Sequence, residues 1–289
     1  MARLSPISLL AAAVMSLAVG CGAAPDEQRE HAERMAREHA HDAPVANPVS
    51  ESAPALEVAA SEVQYATVDG RAVTGYLARP AAAEGPLPGL IVIHEWWGLN
   101  DNIRAMTRRL AGEGYQALAV DLYGGEVAAD RDTAFSLMTA TNERPAAAED
   151  NLRQAYVFLA DRQGAPAVGS IGWCFGGGWS LGTALLLPDR LDAAVIYYGH
   201  LVTDPQRLAA LQMPILGLFG EQDKGIPIDS VRSFEHALAG LGKDARIVVY
   251  PGADHAFANP SGMNYQAEAA EKAWQETAAF LARTLKHGG

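Results

Sequence analysis

The stretch VGSIGWCFGGG, residues 168–178, carries the strongest signal in the sequence. Its first six residues are typical of a buried strand, and the apolar segment of about 175–187 that follows them predicts a helix. Between strand and helix, Gly172 and Gly176 stand two residues before and two residues after Cys174, which is the pattern of a nucleophile elbow. The spacing matches neither glycine pattern of the nucleotide-binding loops. Cys174 is therefore predicted to be a nucleophile, with its thiolate favoured by the helix dipole, rather than an inert core thiol.

On both sides of this stretch, short apolar runs alternate with helical segments. Such alternation predicts an α/β domain with a mostly parallel central sheet and helices on both faces. An Asp69-Gly70 turn indicates that the sheet opens with an antiparallel hairpin. The predicted strands are 63–68, 73–79, 87–94, 115–121, 168–173, 193–198, 215–219 and 245–250. The predicted helices are 101–113, 130–141, 145–162, 175–187, 204–211, 227–241 and 264–286.

The amino-terminal region is predicted to be separate from this domain. Residues 1–20 hold an apolar run too short to span a bilayer, as in a signal peptide, and small residues lead from it into Cys21. This order resembles a bacterial lipobox, which predicts export to the periplasmic side and lipid attachment at Cys21. The alternative is secretion with simple cleavage nearby. Residues 21–56 are acidic and poor in large apolar side chains, which predicts a disordered tether, and the α/β domain is expected to span 57–289.

Composition excludes several function classes. The 289 residues include 22 basic and 34 acidic side chains, giving a net charge of −12. Such a charge disfavours binding to nucleic acid or to anionic headgroups, so the expected membrane contact is the amino-terminal lipid alone. Two cysteines are too few for a disulfide framework or a cysteine-rich zinc module, and the sequence predicts neither a metal nor an organic cofactor.

A catalytic triad needs an acid and then a histidine, each beyond a later strand. Asp223 follows the strand 215–219, and His255 follows the strand 245–250, so both are placed at the carboxyl edge of the sheet. Glu221 and Asp254 are competing acids. His200 is a competing base, although it precedes every candidate acid and so departs from the expected chain order.

With these residues in place, the chain resembles the dienelactone hydrolases, which belong to the α/β-hydrolase superfamily. The resemblance covers most of residues 63–285. A cysteine in the elbow, combined with the glutamate of HEWWG at 94–98, is the most specific part of it. The other matching motifs are DLY at 121–123, GWCFGG at 172–177, YYG at 197–199, GEQD at 220–223 and GADHAF at 252–257.

The resemblance implies a role for each matching residue. Cys174 would be the nucleophile, His255 the base and Asp223 the acid that orients the histidine. Glu95 would contact the resting thiol and help to deprotonate it when substrate arrives, which agrees with the fact that a neighbouring carboxylate disfavours a thiolate. Backbone N–H groups of Trp96 and Phe175 would form the oxyanion hole.

One departure from the family bears on the substrate. The family histidine is typically followed by a serine and, three residues further on, by an arginine that grips the substrate carboxylate, whereas this chain has Ala256 and Asn259. We therefore expect uncharged substrates to be preferred, unless Arg131 supplies another cation. The predicted pocket residues are Trp97, Tyr198, Phe257 and Asn259.

The leading hypothesis is a hydrolase that cleaves a small ester or lactone through a covalent acyl-enzyme. Two alternatives remain open. The substrate could be a peptide or a carbohydrate ester, because the fold alone does not define it. The chain could also be a tethered binding protein on an inactive hydrolase scaffold.

Overall fold

The computed structural model describes residues 33–35, 37 and 54–286. The predicted signal peptide, Cys21 and most of the predicted tether lie outside the described residues. Within the described part, no helix combines the length and the apolar composition needed to cross a membrane.

Eight strands form one sheet in the order β1-β2-β4-β3-β5-β6-β7-β8. β1 pairs antiparallel with β2, and β2 antiparallel with β4, whereas β3 to β8 run parallel. The predicted α/β fold with its opening hairpin is confirmed. The strands are β1 Val58–Val68, β2 Arg71–Pro80, β3 Gly89–Ile93, β4 Gln116–Val120, β5 Val168–Trp173, β6 Ala193–Tyr197, β7 Ile215–Gly220 and β8 Ala245–Tyr250.

Helices cover both faces of the sheet. One apolar core receives side chains such as Ile103 and Trp274, and the core on the other face receives Leu152, Leu181 and Phe234. The helices are α1 Asp101–Gly112, α2 Arg131–Asn142, α3 Pro145–Val157, α4 Phe175–Leu186, α5 Pro205–Leu208, α6 Ile228–Gly240 and α7 Ala267–Leu285.

Several element boundaries differ from the sequence prediction, and three of the differences have an identifiable cause or size. β1 begins at Val58, five residues early, because the exposed edge residues before Val63 pair with β2 and have no apolar alternation to reveal them. The α-helical part of the predicted helix 145–162 ends at Val157 and continues as a π-helical turn, Phe158–Arg162, in which the Gln163 N–H donates to the Phe158 carbonyl. The predicted helix 204–211 is only four residues long.

A further difference concerns the predicted tether. Residues 33–35 and 37 are helical, and the Met35 side chain is only 2% exposed. At this residue the segment lies against the folded domain, so the expectation of a fully solvated tether is wrong there. A methionine in an acidic, polar stretch carries too little periodicity to predict this burial.

Candidate active site

Cys174 lies in a strained turn between β5 and α4. Its backbone has a positive φ of 55°, and its N–H donates to the Tyr197 carbonyl at 3.0 Å. A Cβ on Gly172 would lie 2.1 Å from the Gly176 carbonyl oxygen, and a Cβ on Gly176 would lie 2.3 Å from that of Ile93. Backbone atoms therefore fill both positions, which is why the elbow needs glycine. The Cys174 thiol is free and largely buried.

The two residues predicted to support Cys174 are paired. His255 Nδ1 lies 2.7 Å from Asp223 Oδ2, and both side chains are buried. The other oxygen of Asp223 accepts a hydrogen bond from the Ile226 N–H at 2.8 Å. Each residue follows the carboxyl end of a parallel strand, β7 or β8, as the sequence predicts.

The competing acids have other partners. Asp254 accepts a hydrogen bond from the backbone N–H of His255 at 2.7 Å and so shapes the histidine loop. Glu221 is exposed and accepts from the Gly252 N–H at 3.0 Å. The carboxylate bonded to the imidazole is therefore that of Asp223.

Charge around His255 favours its protonated form in the resting site. Burial by itself would lower the pKa of the ring, but the negative charges of Asp223 and Cys174 outweigh burial and raise the pKa of His255 well above its usual value. A protonated ring that is paired with the Asp223 carboxylate can act as a proton donor in the reaction.

His200 has a different environment. Burial, aided by the nearby positive charges of Arg34 and Arg207, lowers the pKa of His200 to about 4. Its ring is therefore neutral at pH 7. Asp223 bonds the ring of His255, so the competing assignment of His200 as the triad base finds no support in the geometry.

Glu95 is buried in the loop after β3, and Asn259 holds its carboxylate. Asn259 Nδ2 donates to Glu95 Oε2 at 2.6 Å, and Asn259 Oδ1 accepts from Asn102 Nδ2 at 3.0 Å. Asn259 Oδ1 also accepts from the Ser261 N–H at 2.8 Å. Asn259 was predicted to be a pocket residue, and its amide nitrogen donates a hydrogen bond to Glu95.

His94 has a positioning role that the sequence analysis missed. Its Nδ1 lies 2.6 Å from the Glu95 carbonyl, and its Nε2 accepts from the Leu122 N–H at 3.2 Å. Complete burial lowers the pKa of His94, so the neutral ring donates through Nδ1 and accepts through Nε2. His94 therefore fixes the Glu95 loop to the end of β4. The position of His94 in the HEWWG motif, directly before Glu95, was the feature of the sequence that could have indicated this role.

The predicted oxyanion residues lie beside the elbow. Phe175 opens α4, where the first N–H groups of a helix have no partner within the helix. A Cβ on Gly176 would lie 2.3 Å and 2.5 Å from the carbonyl oxygens of Ile93 and His94, so the chain just before Trp96 lies against the first turn of α4. Trp96 packs edge-on against Trp97, with 5.1 Å between the ring centroids.

Aromatic rings surround the histidine. Tyr198 has a positive φ of 35°, and its ring lies edge-on to His255 at 5.0 Å and to Phe257 at 5.4 Å. Phe257 is fully buried, and its ring packs against that of Tyr198. Tyr123, which the sequence analysis did not single out, lies 5.5 Å from Phe175, and the charge of Cys174 adds to the effect of burial in raising its pKa.

Comparison with known proteins gives one consistent result. The model of the Dienelactone hydrolase family matches residues 73–285. The chain belongs to this family. It is 36% identical over 259 residues to a candidate carboxymethylenebutenolidase of Saccharolobus solfataricus, covering 75% of this chain and 96% of that protein. A similar relative from Escherichia coli strain K12 is 37% identical over 221 residues, covering 71% of this chain and 80% of the relative.

Solved structures agree with this assignment. The crystal structure of a candidate dienelactone hydrolase from Klebsiella pneumoniae has a TM-score of 0.72 and 34% identity, covering 78% of this chain and 99% of that one. Brefeldin A esterase has a TM-score of 0.67 at 17% identity, covering 93% of this chain and 88% of the esterase, and it shares the α/β-hydrolase fold. The chain is thus a hydrolase of the dienelactone hydrolase family on that fold.

Within this family member, Arg131 does not replace the missing arginine. It opens α2 and pairs with the adjacent Asp132, whose Oδ1 lies 2.7 Å from Arg131 Nη2. Both side chains are at the surface, so the charge of Arg131 is compensated there. In the described part of the chain, no three His, Cys, Asp or Glu side chains are grouped closely enough to hold a metal ion.

Proposed function

We propose that the protein hydrolyses small esters or lactones through Cys174, His255 and Asp223, by way of a covalent acyl-enzyme. The observation that carries this proposal is the 2.7 Å contact between Asp223 and His255, placed behind a cysteine in an elbow of positive φ. The relatives named carboxymethylenebutenolidase support a lactone as one substrate class.

Acylation begins when substrate arrives and the Glu95 carboxylate accepts the proton of the Cys174 thiol. The Cys174 thiolate attacks the ester carbonyl carbon, the carbonyl oxygen takes up negative charge, and the C–O bond to the leaving group then breaks. The leaving oxygen takes the proton of the His255 imidazolium, and a thioester remains on Cys174. The N–H groups of Trp96 and Phe175 are the donors proposed to stabilise the oxyanion.

Deacylation follows from the loss of one charge. Once the thiolate has become a neutral thioester, one of the two negative charges that raise the pKa of His255 is gone. The pKa of the ring then falls, and the ring can accept a proton from water while hydroxide attacks the thioester. Cleavage of the C–S bond releases the acid and restores the thiolate.

Glu95 is proposed to control the thiol before substrate arrives. Its carboxylate lies close enough to the site to act, together with Cys174, on the pKa of Tyr198, which these charges raise in addition to the effect of burial. A charge at this position disfavours a second charge on the thiol. Substrate that displaces the carboxylate from Asn259 would allow it to approach the thiol and accept its proton.

The substrate class is proposed to be uncharged. Neither Asn259, which is bonded to Glu95, nor Arg131, which is paired at the surface, is available to grip a carboxylate. The net charge of −12 also repels anions at long range. Neutral lactones and short-chain esters satisfy both constraints.

The test is a panel of neutral lactones, short-chain esters, peptides and carbohydrate esters, combined with intact-mass analysis of rapidly quenched reactions. We expect turnover of neutral esters or lactones and an acyl adduct on the peptide that contains Cys174. Faster turnover of peptides or carbohydrate esters would favour that alternative. Binding of these compounds without turnover of any of them would favour the tethered binding protein.

Export and lipid attachment at Cys21 are proposed on the order of residues 1–21. The Cys21→Ser variant is expected to leave the membrane fraction while the kcat/KM of the domain stays unchanged. Equal membrane association of both proteins would refute the anchor.

A further inference from the structure

The helical residues 33–35 and 37, here named the strap, lie far from the catalytic domain in sequence but against it in space. Met35 is as buried as a core residue and belongs to the apolar cluster that contains Trp96, Cys174 and Tyr198. Met35 belongs to a stretch whose acidic, polar composition favours exposure to solvent. Its burial therefore has to be explained by the part of the domain against which it packs.

What the strap covers is the loop that carries the triad acid. Arg34 Nε donates to the Gly225 carbonyl at 3.2 Å. A Cβ on Gly225 would lie 2.5 Å from Met35 Sδ and 3.2 Å from Asp223 Oδ1. The Met35 thioether therefore occupies the space directly over Gly225, next to the carboxylate that orients His255.

The strap also approaches the elbow side of the site. Arg34 is near enough to His200 for its charge to contribute to the low pKa of that ring. The His200 Cβ would in turn lie 3.4 Å from a Cβ on Gly178, in the first turns of the helix that begins after Cys174. Arg34 and Met35 thus bridge the acid loop and the neighbourhood of the nucleophile helix.

We propose that Met35 forms one wall of the substrate site and limits the size of the acyl group that reaches Cys174. The proposal rests on the proposed hydrolase function, which it deepens by assigning a specificity residue outside the catalytic domain. Met35 Sδ lies 2.5 Å from the position of a Cβ on Gly225, so the space next to the acid loop is filled in the wild type. Removing the side chain opens that space.

The experiment compares kcat/KM for p-nitrophenyl acetate and p-nitrophenyl octanoate in the full chain, for the wild type and Met35→Ala. We expect the octanoate-to-acetate ratio to rise by about tenfold in Met35→Ala, the scale on which a few methylene groups in a pocket discriminate substrates. Arg37→Ala is the matched control, because Arg37 lies in the same strap and is exposed. An unchanged or lower ratio in Met35→Ala, or an equal rise in Arg37→Ala, would overturn the proposal.

A second variant changes the other partner of the contact between Met35 and Gly225. Gly225→Ala places a methyl group where the Met35 thioether lies and should displace it, giving the same rise in the ratio. Because both changes remove one contact, the double variant should show no further rise. Fully additive rises would contradict a shared contact.

Thiol access gives a readout independent of turnover. A bulky maleimide should label Cys174 faster in Met35→Ala than in the wild type, whereas the small iodoacetamide should react at similar rates in both. Equal rates of maleimide labelling in the two proteins would contradict the proposal that Met35 forms a wall of the substrate site. If the wild type hydrolyses neither these esters nor any neutral lactone or ester of the panel, the proposed function fails; if it hydrolyses acetate with an unchanged ratio in Met35→Ala, only the role of Met35 fails.

Discussion

The elbow and the Glu95–Asn259 pair lie at the same edge of the sheet but are built in opposite ways. The backbone holds Cys174, because carbonyl groups fill the positions where Gly172 and Gly176 would carry a Cβ. Side chains hold Glu95, through an amide 164 residues away. A backbone-built element tolerates almost no change at its glycines, whereas a side-chain pair can be exchanged without refolding the chain. Stability should therefore depend on the elbow, and substrate preference on the pair.

The largest effect is expected from Cys174→Ala, which removes the nucleophile and leaves the elbow intact. Loss of a triad nucleophile lowers kcat by roughly 10⁶-fold in a related mechanism, and we expect a loss of several orders of magnitude with a neutral ester. The circular dichroism spectrum should not change, because the turn is held by glycines. Substantial remaining turnover would show that another residue attacks the substrate.

Gly176→Ala should break the elbow itself. Its methyl group would lie 2.3 Å from the Ile93 carbonyl oxygen, so the free energy of unfolding should fall by about 3 kcal/mol, the upper end for an overpacked core. For a domain of this size, that corresponds to a Tm lower by roughly 6–12 °C.

Gly178→Ala is the matched control in the same helix. A Cβ there would have its nearest neighbours, atoms of His200, at an ordinary 3.4 Å. Its Tm should stay close to that of the wild type, because alanine favours a helix over glycine. Equal losses in the two variants would mean that helix α4, not the elbow, limits stability.

The elbow and the strands were predictable because their causes are local. Gly172, Cys174 and Gly176 are spaced by the turn, and continuous apolar runs mark β3 to β7 because both faces are buried. The contact of Asn259 with Glu95 was not predictable, since no local pattern or spacing in the sequence pairs these two residues. The burial of Met35 was missed for the same reason: one methionine among polar residues has no local pattern that points to Gly225.

The third prediction concerns the pH dependence of stability that results from the charge on His255. The pKa of His255 is raised in the folded protein, so the folded state binds more protons than the unfolded state once the pH exceeds about 6.5. The stabilisation is complete below that pH and is lost as the pH rises toward the folded pKa, with a slope of at most about 1.4 kcal/mol per unit.

Urea unfolding of the wild type and of His255→Gln between pH 6 and 9 measures this effect. The difference in free energy of unfolding between the two proteins should fall as the pH rises. A difference that is constant or grows would mean that His255 is neutral in the resting site.

The smallest effect is expected from Asn259→Arg, which alters the side-chain pair and removes the oxygen that accepts from Asn102 and Ser261, but leaves the triad in place. A guanidinium at this position would meet the buried Glu95 carboxylate, and an anionic substrate would compete with Glu95 for it. Because a charge-assisted hydrogen bond contributes roughly 1.5–3 kcal/mol and part of it is already used by Glu95, the preference for an anionic over a neutral lactone should rise by about tenfold. The wild type should prefer the neutral lactone.

Gln275→Arg adds the same charge on the exposed side of α7, away from the site, and should leave the ratio of the two kcat/KM values nearly unchanged. An equal shift in both variants would assign the preference to net charge, and a wild-type preference for the anion would assign the grip to a cation other than Arg131.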